Sequence, residues 1–245
     1  MKAIVLTYDE RAPYVDLVLS CYKRWWKNCP LEFVIPYNKE LPYYKDKFGN
    51  LSFIKTPKNI KSTMHLLLKN IPDDDFVYWC LDDIYLHALN NPEILNDIYK
   101  YIIENPNCEV NSIRLKHIKL KHINRASCKT SKERIGEIDF CNISYTKLSF
   151  WFHYFIRSKV LKQFFLSPMI STKTSIRDMG RLKKKINIDK CRILVPERKI
   201  ATFGETTRGK VSTKNCGEAF KLYKIKSGIK NFSRMTILDN RARKT

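Results

Sequence analysis

Asp82 and Asp83 follow six residues, Phe76-Val77-Tyr78-Trp79-Cys80-Leu81, with no glycine, asparagine or proline between. Adjacent like charges at the edge of a core are costly unless a cation or a positively charged ligand meets them. Hard cations such as Mg2+ and Mn2+ take oxygen ligands, commonly one or two carboxylates plus substrate phosphates. The pair therefore reads as a ligand set at a strand end; its plain alternative is a solvated turn. Asp73–Asp75, after Pro72, read as a solvated turn leading into the strand.

Two further stretches could carry chemistry. In STKTSIRDMG (171–180), Arg177 precedes Asp178. A carboxylate beside Arg stays ionised and suits a base that takes a proton from a hydroxyl; the competing reading is a structural ion pair or a helix cap. In GETTRGK (204–210), two glycines flank a polar loop ending in Arg208 and Lys210. Such a loop can set positive charge against phosphates, or be an ordinary hairpin turn. The five histidines form no HxH or HExxH pattern, and His117 and His122 read as surface or phosphate-contact residues. There is no G-x-S-x-G elbow and no G-x-G-x-x-G turn, so serine-hydrolase and dinucleotide-dehydrogenase readings have no support.

The elements that would position these residues alternate. Lys2–Tyr8 reads as a buried strand, and Pro13–Trp26 as a helix with apolar residues at i, i+3, i+4 and i+7. Strands follow at Leu31–Pro36 and Leu51–Ile54, then a helix at Ser62–Lys69 capped by Ser62. The strand Asp75–Leu81 and the helix Asn91–Glu104, with Pro92 in its first turn, complete the first half. This order implies an α/β fold with a mostly parallel sheet, in which ligands bind beyond the carboxyl ends of the strands. Residues 111–134 read as one or two strands with a basic face and then a polar loop. Val160–Leu166 reads as a short helix, and Arg192–Val195 and Lys199–Phe203 as strands.

The 245 residues carry a net charge of +22, which implies an anionic partner: nucleic acid, an anionic membrane face or a phosphorylated substrate. Eight scattered cysteines with no CxxC pair read as reduced thiols of a cytosolic protein. The N-terminal apolar run is too short for a signal peptide, and no run reaches the ~20 residues of a membrane span. From Glu205 to Thr245, eleven Lys or Arg stand against three acids, interleaved with Phe220, Tyr223 and Phe232. That mixture fits an anionic membrane surface or nucleic acid.

The succession KSTMHLLLKNIPDDDFVYWCLDDIYL (61–86), SFWFHYFIRSKVLKQFFLSP (149–168), TSIRDMG (174–180) and ATFGETTRGK (201–210) resembles bacterial GT-A-type glycosyltransferases of surface-polysaccharide clusters, those for capsule and lipopolysaccharide. The resemblance spans roughly residues 1–210. It implies a GT-A-like (Rossmann-like), mostly parallel central sheet flanked by helices, with a nucleotide-sugar and acceptor domain at 1–216 and a basic C-terminal extension at 217–245. It implies a metal, Mn2+ or Mg2+, at Asp83 and Asp82, although Leu81 stands where the family's Asp-x-Asp motif has its first acid. It also implies donor contacts from Asp82, Asp83, Thr7, Arg208 and Lys210, and an inverting transfer with Asp178 as base. The partners it implies are a nucleotide-sugar donor, a saccharide or lipid-linked acceptor, and the inner face of the cell membrane, to which a cytoplasmic enzyme would attach peripherally. A metal-dependent nucleic-acid-binding protein or nuclease, and a non-catalytic relative, are the competing readings.

Overall fold

The computed structural model describes residues 1–117, 131–145, 150–183, 185–186, 188, 191–207, 210–212 and 237–238, with backbone alone at 144–145 and from 205 onward. Its strands are β1 (Lys2–Leu6), β2 (Glu32–Tyr37), β3 (Leu51–Lys55), β4 (Phe76–Leu81), β5 (Ile84–Leu89), β6 (Ser112–Arg114), β7 (Lys132–Ile135), β8 (Ile138–Tyr145), β9 (Tyr154–Arg157), β10 (Cys191–Pro196), β11 (Ala201–Thr207), β12 (Lys210–Ser212) and β13 (Ile237–Leu238). The helices are α1 (Ala12–Trp25), α2 (Ile60–Leu68), α3 (Ile94–Glu104), α4 (Ser158–Phe165) and α5 (Ile176–Leu182).

β4 explains the architecture. Its residues are buried on both faces: Phe76, Tyr78 and Cys80 pack into one apolar cluster, and Val77, Trp79 and Leu81 into the other. Alternate side chains of a strand point to opposite faces, so an unbroken apolar run belongs at the centre of a sheet covered on both sides. The nine-stranded sheet runs β3-β2-β1-β4-β9-β6-β10-β8-β7. β3, β2, β1 and β4 are mutually parallel, as are β6 and β10, while β9 and β8 run the opposite way. The fold is thus a mixed, mostly parallel α/β sheet. α1 and α3 contribute to the first cluster; α2, α4 and α5 contribute to the second.

After β4 the chain leaves this sheet. β5 pairs instead with β11, in a smaller sheet ordered β13-β12-β11-β5. Asp82 and Asp83 form the corner between the two sheets. β13 falls within the stretch the sequence sets apart as a tail, and it pairs parallel to β12; the rest of 213–245 lies outside the described residues.

Several local expectations shift. α2 starts at Ile60, and its cap is Asn59, whose side chain accepts from the Ser62 N–H at 2.9 Å, rather than Ser62 itself. α3 begins two residues past Pro92. β5, β8 and α5 have no counterpart in the sequence reading. The basic segment 111–134 yields β6 and the start of β7, with 118–130, and so His122, outside the described residues. Asp73 and Asp74 do form an exposed turn, ion-paired with Lys162 (2.6 Å) and Lys159 (3.1 Å) of α4.

Candidate active site

The order β3-β2-β1-β4 reverses direction between β1 and β4, because β1, β2 and β3 progress one way while β4 lies on the other side of β1. At such a switch point a crevice opens outside the carboxyl ends of the strands. A cavity of about 890 Å3 occupies that position. Its floor holds Leu6, Thr7 and Tyr8 after β1, and Leu81, Asp82 and Asp83 after β4. One wall is the loop and first turn of α2, from Pro57 to Thr63; the other is Trp151 with Ile176, Arg177 and Gly180 of α5.

Asp82 is buried, and its partners are already in place. Thr7 Oγ1 donates to Oδ2 at 2.8 Å; Arg11 Nε donates to Oδ2 at 3.1 Å and Arg11 Nη2 to Oδ1 at 2.9 Å. This two-pronged guanidinium contact accounts for the tolerance of a carboxylate at the core edge. Arg11 is itself stacked over Tyr14, 4.0 Å from the ring centroid. Asp82 and Thr7 thus meet in a floor bonded to Arg11, a residue that no motif in the sequence singles out. Asp83 is half-buried at the cavity edge.

Behind this floor runs a buried polar chain. Tyr78 and Tyr22 share a hydroxyl contact of 2.7 Å, Tyr22 OH meets His153 Nδ1 at 2.6 Å, and His153 Nε2 lies 2.9 Å from Leu81 N and 2.8 Å from Leu81 O. Burial pushes the His153 imidazole down to about 4, against the Leu81 backbone contact that acts the other way. A neutral ring in direct contact with the backbone of Leu81 fixes the residue just before the acid pair. His153 therefore has a positioning place that no histidine motif announces.

Asn38, at the end of β2, is a second residue the sequence reading missed. Its backbone N–H donates to Asp9 at 2.6 Å, and its amide nitrogen donates to Thr56 O at 3.0 Å. The amide oxygen is buried with no hydrogen-bond partner among the described residues, and Asn38 lines the cavity. Such an acceptor costs about 1–3 kcal/mol while no donor meets it. Positive charge comes from Lys58, ion-paired with exposed Glu10 at 2.5 Å, and from exposed Arg177, which enters no ion pair among the described residues.

Asp178 is not part of this cavity. In α5, Ile176, Arg177 and Gly180 face it, whereas Asp178 lines a separate surface hollow with Ser171, Thr174 and Arg181. Ser175 caps the helix by accepting from Asp178 N at 3.2 Å, and its hydroxyl donates to Asp178 Oδ2 at 2.5 Å. Arg181 lies 3.7 Å from the same carboxylate. The residue expected as base is thus held at the first turn of a short helix, outside the lining of this cavity. Arg208 lies outside the described residues. Gly204 to Thr207 belong to β11, Lys210 opens β12, the two strands pair antiparallel, and Glu205 of β11 pairs with Ile84 immediately after Asp83.

A divalent cation finds a limited donor set. Among the described residues no group of three or more His, Cys, Asp or Glu converges. Both Asp82 oxygens are engaged by Arg11 and Thr7. The residues fit Mg2+ or Mn2+ as a site built on Asp83 and completed by phosphate oxygens of a substrate, a mode typical of Mg2+.

No family model matches the chain, and no curated protein matches it. Among solved structures it is similar to S. aureus TarS 1-349 in complex with UDP-GlcNAc, at 17% identity and TM-score 0.48, over 98% of this chain and 68% of that one. It is similar to the galactosyltransferase LgtC in complex with donor and acceptor sugar analogs at 13% identity and TM-score 0.37, over 78% and 67% of the two chains. A CMP:2-keto-3-deoxy-manno-octonic acid synthetase complexed with CTP gives 15% identity and TM-score 0.44, over 92% and 99%. The functional reading rests on the cavity and not on these likenesses.

Proposed function

We propose that the chain is a nucleotide-sugar-dependent glycosyltransferase, moving a sugar to a saccharide or lipid-linked acceptor of a cell-surface polysaccharide. One observation carries this reading. A single cavity at the β1/β4 switch point combines an orphaned amide acceptor at Asn38, an acid corner at Asp83, and the cations Lys58 and Arg177. Its volume lies within the ~300–1,000 Å3 usual for ligand pockets. The nucleobase would meet Asn38 beside Tyr8. The diphosphate would lie toward Lys58 and Arg177, and the sugar over Asp83.

Positioned cations stabilise charge that develops on a leaving diphosphate. Mg2+ or Mn2+, when bound, adds neutralisation of that same charge. Arg11 and Thr7 hold Asp82 so that the floor keeps its shape, and Asp83 lines the cavity beside it. The net charge of +22 supports attachment to an anionic surface at the cytoplasmic face of a membrane; no helix among the described residues is long and apolar enough to cross one.

The test is calorimetric titration of wild type and Asp83→Ala with a panel of nucleoside diphosphates and sugar nucleotides, with and without Mn2+. Selective binding of one nucleotide class, weakened in Asp83→Ala, supports the proposal. Absence of nucleotide binding, with salt-sensitive binding of DNA or RNA instead, removes it and favours a nucleic-acid function.

A further inference from the structure

We propose that Arg114, with Ser112 and Lys183, forms a binding site for a phosphate-type oxyanion, separate from the Asp83 cavity. Ser112 and Arg114 are two residues apart on β6, so their side chains share one face of the sheet. Ser112 is fully buried, and its hydroxyl has no hydrogen-bond partner among the described residues. Arg114 Nε and Nη2 are likewise buried without a partner among the described residues. The Arg114 guanidinium carbon sits 5.8 Å from the centroid of the Tyr154 ring, and no carboxylate pairs with it among the described residues. Lys183, at the C-terminal cap of α5, approaches the same place: burial and then the Arg114 charge push its ammonium down from its ordinary value.

Two cations and an unpaired hydroxyl gathered on a low-dielectric face are unfavourable in the empty protein, because each buried donor lacks an acceptor and the charges repel. An oxyanion removes all three penalties together. The Nε/Nη2 edge of a guanidinium matches two oxygens of a phosphate, and the remaining oxygens are free for Ser112 Oγ and Lys183 Nζ.

Strand register places this site. Arg114 pairs with Tyr154, which pairs with Trp79 of β4. Two strand spacings and three residues of strand rise put the Arg114 backbone ~14 Å from that of Asp82. One phosphate cannot reach both places. α5 spans between them, with Arg177 in its first turn at the cavity and Lys183 at its far end. If the proposed transfer is correct, a phosphate here belongs to the second substrate rather than to the donor; only this last step rests on that reading.

The test uses the full chain and needs no transfer reaction. Titration with inorganic phosphate and with dimethyl phosphate is followed by calorimetry and by the rise in Tm. The proposal expects saturable binding that weakens at least tenfold in Arg114→Gln and several-fold in Lys183→Gln, the latter a half-exposed position that spares the core. Lys100→Gln, at an exposed position on α3, leaves it unchanged. Preference for inorganic phosphate identifies a free or terminal phosphate; preference for dimethyl phosphate identifies a phosphodiester carried on a larger substrate. Failure of both ligands to bind, binding that survives Arg114→Gln, or binding lost in Lys100→Gln would overturn it. None of these results alters nucleotide binding through Asp83.

Discussion

The Arg11–Asp82 contact makes a quantitative demand. Arg11→Met keeps the aliphatic stem but removes the guanidinium that contacts both Asp82 oxygens. The two side chains are only 17% and 11% exposed, so the carboxylate would be left largely desolvated. Removing one partner of a fully buried pair costs roughly 3–5 kcal/mol. Thr7 still donates to Oδ2 and some exposure remains, so the expected loss is about 2–3 kcal/mol. In urea, with a slope of about 2–3 kcal/mol/M, the unfolding midpoint should fall by about 1 M. Asp82→Asn removes the charge that Arg11 neutralises, so the double variant should recover part of the loss, with a coupling of about 1–3 kcal/mol. A change below ~0.5 kcal/mol in Arg11→Met, or strict additivity of the two substitutions, would refute the assignment of Asp82 as a structurally held acid.

Three further outcomes follow from the same geometry. Unfolded His153 takes up a proton near its ordinary 6.5, whereas the folded ring resists until about 4, so stability should fall by about 3 kcal/mol as pH drops through that window; urea midpoints at pH 7.5 and 4 should show a smaller drop in His153→Gln, and equal drops would contradict the buried neutral ring. Gly136 sits at φ +56° between β7 and β8, where an added Cβ would lie 2.2 Å from Asp97 Oδ2, so Gly136→Ala should destabilise by about 1–2 kcal/mol in thermal unfolding. Gly180 has open space where its Cβ would be, on the cavity wall, so Gly180→Phe should keep its Tm within a few degrees yet weaken nucleotide binding more than tenfold; a variant that binds normally would mean the cavity is not the donor site.

Much of the frame was legible because it is local. The unbroken apolar run Phe76–Leu81 announced a central strand, and the acid pair after it lies at the strand end where the cavity opens. The spacing of Leu17, Val18, Cys21 and Tyr22 announced α1. What escaped is long-range or too short to have a period. Arg11 reaches Asp82 across 71 residues, and nothing near either residue signals the other. Asn38 matters because Asp9 and Thr56 fix its orientation, both distant in sequence. α5 spans only seven residues, so no apolar periodicity could show that Arg177 and Asp178 face different ways. The helix-cap alternative weighed for Asp178 matches the contact from Asp178 N to Ser175 Oγ. Leu86 and Tyr85 look like a continuation of β4, and only the pairing with β11 shows that the chain has changed sheets.

The most direct measurement is release of nucleoside diphosphate from the sugar nucleotide that binds tightest, in wild type, Asp83→Asn and Asp178→Asn. The account predicts that Asp83→Asn loses most of the turnover while Asp178→Asn stays within about twofold, as suits a surface cap worth ~1 kcal/mol of helix stability. Loss of turnover in Asp178→Asn with Asp83→Asn active would contradict it, and would place the chemistry on the opposite face of α5.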